Sequence, residues 1–118
     1  MAKHEFGIID FFKENKWYSD YEPEKYNCIS VNDNLIEVLS IKYKAQLVAI
    51  KTYFQVTIQP GTGLDYYGVT IIPPESLNQF KEVIIKANSK YQSQELKLLI
   101  EKVSDAINKK KYLIHYGI

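Results

Sequence analysis

The sequence predicts an α+β domain in which helices pack on one face of a mostly antiparallel sheet of about five strands. Short β-branched and aromatic runs occur near both chain ends and in the middle. Two amphipathic helical runs follow one another directly, so few segments could form the crossovers that parallel strands need. The predicted order is β-β-α-β-β-α-α-β. With 118 residues, the chain predicts a single domain over 1–118.

The first part of the chain predicts two strands that are joined by a long irregular segment. Residues 4–10 alternate so that His4, Phe6 and Ile8 share one side of a strand. A second strand is predicted over 26–32. The stretch between them is polar and aromatic without a clean period, which is unusual in a domain of this size.

The middle of the chain predicts a helix and then a β-hairpin. Asn32 or Asp33 is a candidate N-cap for a helix that ends near Lys44. Residues 47–72 contain two β-branched and aromatic runs on either side of the turn signal Pro60–Gly61. We therefore expect one two-stranded hairpin over this range.

Two helices and a last strand are predicted for the remainder. The stretch from Pro73 predicts a helix with proline in its first turn and Glu75 near the positive end of its dipole. Each helix has one apolar stripe. The stripes consist of Leu77, Phe80, Ile84 and Ala87, and of Leu96, Leu99, Ile100, Val103 and Ile107. Residues 112–118 predict the final strand.

Composition and charge argue against several classes of binding partner. The 15 cationic residues are all lysines and the net charge is +1, which gives little electrostatic affinity for nucleic acid. A single cysteine, Cys28, permits no internal disulfide and fits a reducing compartment. No signal peptide or membrane-spanning run is recognisable. We expect a cytoplasmic protein with no membrane or nucleic-acid partner and no cofactor.

The only two histidines lie in similar phrases, HEFGI at 4–8 and IHYGI at 114–118. Similar surroundings would explain this if the two terminal strands are neighbours in the sheet. A zinc site would also need Cys28 and an acid, and no zinc-binding spacing is present, so we expect no metal. A small hydrolase or transferase that uses Cys28, His4 or His115 with a carboxylate is the alternative function.

Six of the sixteen residues from 11 to 26 are aromatic. One interpretation is a loop that buries its own rings on the sheet. The other is a recognition surface, because Trp and Tyr are common at binding hot spots. The candidate binding residues are Trp17, Tyr18, Tyr21, Tyr26 and the acidic Glu22. On this basis we expect a non-enzymatic module that binds a protein partner or forms a homo-oligomer.

The sheet face away from the helices is a further candidate for binding. Alternation along the second strand groups Tyr26, Cys28 and Ser30 there, and we expect Thr70 and His115 nearby. An ordinary solvated face is the simpler interpretation.

Four stretches resemble a family of small proteins from low-GC Gram-positive bacteria. They are KHEFGI (3–8), YEPEKYNCISV (21–31), GLDYYGVTIIPPESL (63–77) and IHYGI (114–118). The family has no established activity, so the resemblance implies no cofactor and no site residue.

Overall fold

A computed structural model describes residues 2–118 and contains six strands and four α-helices. The strands are β1 (Lys3–Ile9), β2 (Ile29–Asn32), β3 (Lys51–Phe54), β4 (Pro60–Thr62), β5 (Val69–Ile72) and β6 (Tyr112–Tyr116). The helices are α1 (Asp33–Lys42), α2 (Lys44–Val48), α3 (Leu77–Tyr91) and α4 (Gln94–Lys109). Short 3₁₀ turns cover Pro23–Tyr26 and Pro74–Ser76. The α+β class is therefore confirmed.

All neighbouring strands are antiparallel, in the order β2-β1-β6-β5-β3-β4. The two terminal strands, β1 and β6, are direct neighbours near the centre of the sheet, and Phe6 lies opposite His115. The expectation that both ends of the chain contribute to one sheet is confirmed.

The sheet has six strands where about five were predicted, and the difference lies in 47–72. The predicted hairpin over this range is wrong in detail. Residues 44–48 form α2, β3 is only four residues long, and Pro60–Thr62 is a paired edge strand instead of a turn. The reversal falls earlier, at 55–59, where the Phe54 N–H donates to the Gln59 carbonyl at 3.0 Å. The four apolar residues 47–50 are too few to distinguish a short helix from a strand. The alternation of Phe54, Val56 and Ile58 with Gln55 and Thr57 imitates a longer strand, which explains the rest of the error.

The helices cover one face of the sheet, as predicted. Alternate residues of the central strands point to this side, among them Phe6 and Ile8 of β1 and Leu113 of β6, and they join the apolar stripes of α3 and α4. The Asn32 side chain accepts a hydrogen bond from the Asn34 N–H and caps α1, as expected. No helix among residues 2–118 has the length and hydropathy needed to cross a membrane.

The opposite face of the sheet is covered by residues 10–28, which we call the covering segment. Beneath it lies a second buried cluster that is separate from the helix-side core. Its members are Ile9, Tyr18, Tyr26, Val69, Ile71, Ile114 and Tyr116. The simpler expectation of a solvated face is therefore wrong. The grouping with Thr70 and His115 is wrong too, because both residues belong to the helix side by alternation with Ile71 and Ile114.

Candidate functional site

The covering segment places half of its aromatic rings inward. Phe12 stacks on Tyr112 of β6, with ring centroids 3.7 Å apart, and on Tyr18, with centroids 5.6 Å apart. Tyr18 and Tyr26 are both buried and lie 6.4 Å apart. These three rings attach the segment to the sheet by stacking and apolar burial.

Backbone hydrogen bonds hold the same segment in place. The Tyr18 N–H donates to the Gln55 carbonyl at 2.7 Å. The Glu22 N–H donates to the hydroxyl of Tyr116 at 3.3 Å. The segment is therefore ordered by both packing and polar contacts, although it contains only one short 3₁₀ turn.

The other rings of the segment point outward. The exposed fraction of the residue is 88% for Phe11, 51% for Trp17 and 63% for Tyr21. Tyr67, from the turn before β5, is 76% exposed. We call these four residues the aromatic surface.

Three shallow clefts connect the members of the aromatic surface. A cleft of about 300 Å³ is lined by Phe11 together with Tyr18 and Tyr26. A smaller cleft of about 100 Å³ contains Trp17 and shares Tyr18 and Tyr26 with the first. The third, of about 220 Å³, is lined by Tyr21 and Tyr67 and shares Tyr116 with the second. The clefts are therefore contiguous through shared lining residues.

The structure divides the predicted binding residues into two groups. Trp17 and Tyr21 are exposed, as the recognition interpretation requires. Tyr18 and Tyr26 are buried, so the expected exposure of Tyr18 is wrong. Neither ring has an exposed face that a partner could contact. Glu22 is at the rim, where its carboxylate lies 3.7 Å from the Lys25 ammonium. Local sequence could not distinguish inner from outer rings because the segment has no regular period.

Tyr21 also has a structural contact. Its hydroxyl donates a hydrogen bond to the carboxylate of Glu5, a buried residue of β1. Its ring meets the Tyr116 ring edge-on, with centroids 5.2 Å apart. Tyr21 therefore contributes to the exposed surface and also supplies a hydrogen bond to the carboxylate of the buried Glu5.

Cys28 is the last residue of the covering segment, and it is partly buried and packs against the second cluster. A β-carbon added to Gly7 would lie 2.6 Å from its sulfur, so the thiol is on the same face as Gly7. Burial, with a contribution from the charge of Glu5, raises the pKa of the Cys28 thiol to about 12. The thiol is therefore protonated at neutral pH, whereas a nucleophilic cysteine needs a lowered pKa.

The two histidines meet on the helix side of the sheet, inside a chain of hydrogen bonds that we call the histidine relay. His4 Nδ1 and His115 Nε2 are 2.9 Å apart. His4 Nε2 lies 2.9 Å from a carboxylate oxygen of Asp33, which also accepts a hydrogen bond from the Tyr66 hydroxyl. His115 Nδ1 lies 3.4 Å from the Thr70 hydroxyl. The predicted pairing of Cys28 with a histidine is not formed, because thiol and imidazoles lie on opposite faces.

With both imidazoles neutral, only one arrangement of protons satisfies every contact in the relay. The Asp33 carboxylate can only accept, so His4 donates from Nε2 and accepts at Nδ1. His115 must then donate from Nε2 and accept the Thr70 hydroxyl proton at Nδ1. The Thr70 oxygen in turn accepts from the Asp65 N–H at 2.8 Å. Every hydrogen bond from the Asp65 N–H through Thr70, His115 and His4 therefore donates in the direction of Asp33.

Electrostatics keep both imidazoles neutral. Burial lowers the pKa of His115 to about 3, with a smaller contribution from His4. Burial also lowers the pKa of His4, although Asp33 opposes this effect. Hydrogen bonds from Tyr66 and His4 lower the pKa of Asp33, which stays ionised. The relay thus ends in one carboxylate, whose side chain is 22% exposed.

The chemistry open to the histidines is limited by this geometry. All four ring nitrogens have protein partners, and both residues are fully buried. Within residues 2–118, no group of three or more His, Cys, Asp or Glu side chains could hold a metal ion. A substrate could reach the relay only at its Asp33–Tyr66 end.

Neighbouring strands would explain the repeated phrases around His4 and His115, but no pattern in the sequence indicated the partners that complete the relay. Asp33 was considered only as a helix cap, and no spacing connects it with Tyr66 or Thr70. Their meeting depends on the turn before β5, whose path local sequence does not encode.

No protein-family model, no curated protein and no solved structure matches this chain. The resemblance to small proteins of low-GC Gram-positive bacteria therefore stays a prediction.

Proposed function

We propose that this protein is a non-enzymatic protein-binding module and that the aromatic surface is its binding surface. The observation that carries the proposal is the exposure of Phe11, Trp17, Tyr21 and Tyr67 around contiguous clefts. Large aromatic rings at the centre of an interface supply much of its binding free energy.

The order of the covering segment supports the same proposal. Tyr18 and Tyr26 bury their rings, and the Tyr18 N–H bonds to Gln55, so the outer rings start from an ordered backbone. A surface that is ordered before binding loses less conformational entropy when the complex forms. The partner is a different protein or a second copy of this chain.

The state of the titratable groups supports a non-enzymatic role. The Cys28 thiol has a pKa of about 12, and every imidazole nitrogen is engaged within the protein. A cytoplasmic location belongs to the proposal as well, since a single unpaired cysteine suits a reducing compartment.

Alanine substitutions at Phe11 and Trp17 test the proposal. Partners are first captured from a lysate with the unaltered protein, and each purified partner is then titrated against the variants. We expect Trp17→Ala or Phe11→Ala to weaken binding by about tenfold, which corresponds to about 1.4 kcal/mol. Sedimentation of the unaltered protein measures self-association in the same buffer.

The matched control is Ile85→Ala, which removes an exposed apolar side chain from α3 on the other side of the molecule. It should leave the affinity unchanged. Tyr21 is left intact because its loss would also leave Glu5 without its hydroxyl partner. If Ile85→Ala weakens binding as much as Trp17→Ala, or if neither outer ring matters, the proposal is wrong.

A further inference from the structure

A separate groove of about 200 Å³ lies on the helix side of the molecule. The end of α1, the short α2 and the loop after β4 form its walls. Its lining residues Leu47, Leu64 and Tyr66 pack against the helix-side core. The groove shares no lining residue with the clefts of the aromatic surface, and the two sites touch where the Tyr66 and Tyr67 rings pack edge-on, with centroids 5.1 Å apart.

The walls of the groove combine apolar side chains with one cation. Leu47, Val48 and Leu64 supply apolar surface, and Val48 is half exposed. Lys44 is the only charged residue of the lining. Its ammonium forms no ion pair with any acid among residues 2–118. Ligand sites commonly pair mostly apolar walls with a few polar groups in this way.

Tyr66 gives the groove one rigid wall. Its hydroxyl donates to Asp33, which also accepts from His4, and its ring packs edge-on against the His4 ring with centroids 4.8 Å apart. Burial and the charges of Asp33 and Glu37 raise the pKa of Tyr66. Since these two acids lie near Tyr66, an anionic group would avoid this wall and lie toward Lys44.

We propose that this groove binds a short-chain aliphatic carboxylate, with its carboxylate at Lys44 and its alkyl chain along Leu47, Val48 and Leu64. The volume matches a small ligand, because an apolar cavity of about 150 Å³ holds a benzene molecule. The single ammonium selects an anionic head group, and the apolar walls select the tail. Nothing in this inference depends on the aromatic surface.

Titrations with hexanoate, hexan-1-ol and hexylammonium, followed by NMR, test the inference. The three probes share one alkyl chain and differ only in the head group. We expect hexanoate to bind most tightly and hexylammonium most weakly, with shifts of the Tyr66 and Leu64 signals. Lys44→Gln should weaken hexanoate binding by about fivefold and leave hexan-1-ol binding unchanged, as expected for one partly exposed charge pair.

Two further variants complete the test. Lys42→Gln is the matched control, because the Lys42 ammonium bonds to the Tyr91 hydroxyl and does not line the groove. It should leave hexanoate binding unchanged.

Val48→Ser removes apolar surface and should weaken the binding of all three probes. Melting temperatures establish that each variant is folded. Equal binding of hexanoate and hexan-1-ol, no effect of Lys44→Gln, no detectable binding, or shifts confined to other residues would each overturn the inference.

Discussion

At the scale of single residues, Gly7 shows how closely the covering segment approaches the sheet. A β-carbon at this position would lie 2.6 Å from the Cys28 sulfur and 2.6 Å from the Tyr26 carbonyl oxygen. Gly117 has the same relation to the turn before β5, where the nearest atom, the Tyr66 carbonyl oxygen, would be at 2.3 Å. A glycine within a strand, such as Gly7 in β1, often marks such a close approach of another segment.

Gly7→Ala should therefore destabilise the protein by about 1–3 kcal/mol, because backbone atoms must move to admit the new methyl group. Denaturant unfolding measures the change in free energy. Ser30→Ala, on the neighbouring strand β2, is the control and should change stability by less than about 0.5 kcal/mol. A neutral Gly7→Ala variant would contradict the close packing described here.

The histidine relay predicts that two substitutions lower the unfolding free energy by different amounts. His4→Phe leaves the His115 Nε2–H without an acceptor in a buried place and should cost about 2–3 kcal/mol of unfolding free energy. Tyr66→Phe removes one donor to Asp33, which keeps its bond from His4 and contact with water, and should cost about 1 kcal/mol. Thermal or denaturant unfolding of both variants makes the comparison. Equal costs would show that the relay is not polarised as described.

At the scale of secondary-structure elements, the C-terminal end of α4 gives a prediction. Lys110 ends α4 in the left-handed conformation, with φ of 55° and ψ of 46°. A residue with a side chain loses about 1–2 kcal/mol in this conformation, and glycine loses less. Lys110→Gly should therefore raise the unfolding free energy by about 0.5–1 kcal/mol after the entropy cost of glycine is subtracted.

Lys97→Gly is the matched control, since it makes the same change at an exposed position inside α4. It should lower the unfolding free energy by about 1 kcal/mol, the usual penalty of glycine in a helix interior. If both lysine-to-glycine variants were destabilised equally, the left-handed ending of α4 would be in doubt.

The strength of local periodicity determined which elements could be predicted. The stripe from Leu96 to Ile107 predicts α4 closely because five apolar residues recur at helical spacing. Asn32 and Asp33 were both candidate caps from their residue types alone, and the structure shows that Asn32 is the cap. In contrast, α2 and β4 were missed, because 47–50 is a short apolar run without a period and the path of 51–62 depends on tertiary contacts. The buried Val56 and the positive φ of Gln55 are examples of such constraints.

For the whole molecule, the buried imidazoles predict stability that depends on pH. The pKa of His115 is about 3 in the folded protein against an ordinary value of 6.5, so the unfolded chain binds the proton more readily. The stabilisation from His115 is complete above pH 6.5 and is lost as the pH falls toward 3. At pH 5 the loss should be about 2 kcal/mol relative to pH 8.

His4 acts in the same direction because its pKa is also lowered. Asp33 contributes separately, since its lowered pKa means that its stabilisation disappears only below its ordinary pKa of 3.8. Urea unfolding at several pH values measures the slope. The double variant His4→Phe with His115→Phe should have a flatter profile between pH 5 and pH 7. An unchanged slope in that variant would assign the acid sensitivity to other groups.

The candidate sites, like α2 and β4, could be predicted from the sequence only in part, because they depend on tertiary contacts. Neighbouring terminal strands were one explanation of the repeated phrase around the two histidines, and the structure has them. The aromatic content of 11–26 drew attention to Trp17 and Tyr21, which are exposed. Which rings face inward, and which acid meets His4, depend on how distant segments cross the sheet. Such contacts have no signature in a single sequence.

The central position of β6 has a consequence for biosynthesis. β6 pairs with β1 on one side and β5 on the other, and its residues 112–116 are the last to leave the ribosome among the strands. Until they emerge, a nascent chain has β1 to β5 and α1 to α4 but lacks the strand that joins the two halves of the sheet. Assembly of the complete sheet must therefore wait until translation has passed residue 116, and shorter intermediates expose apolar surface that chaperones recognise.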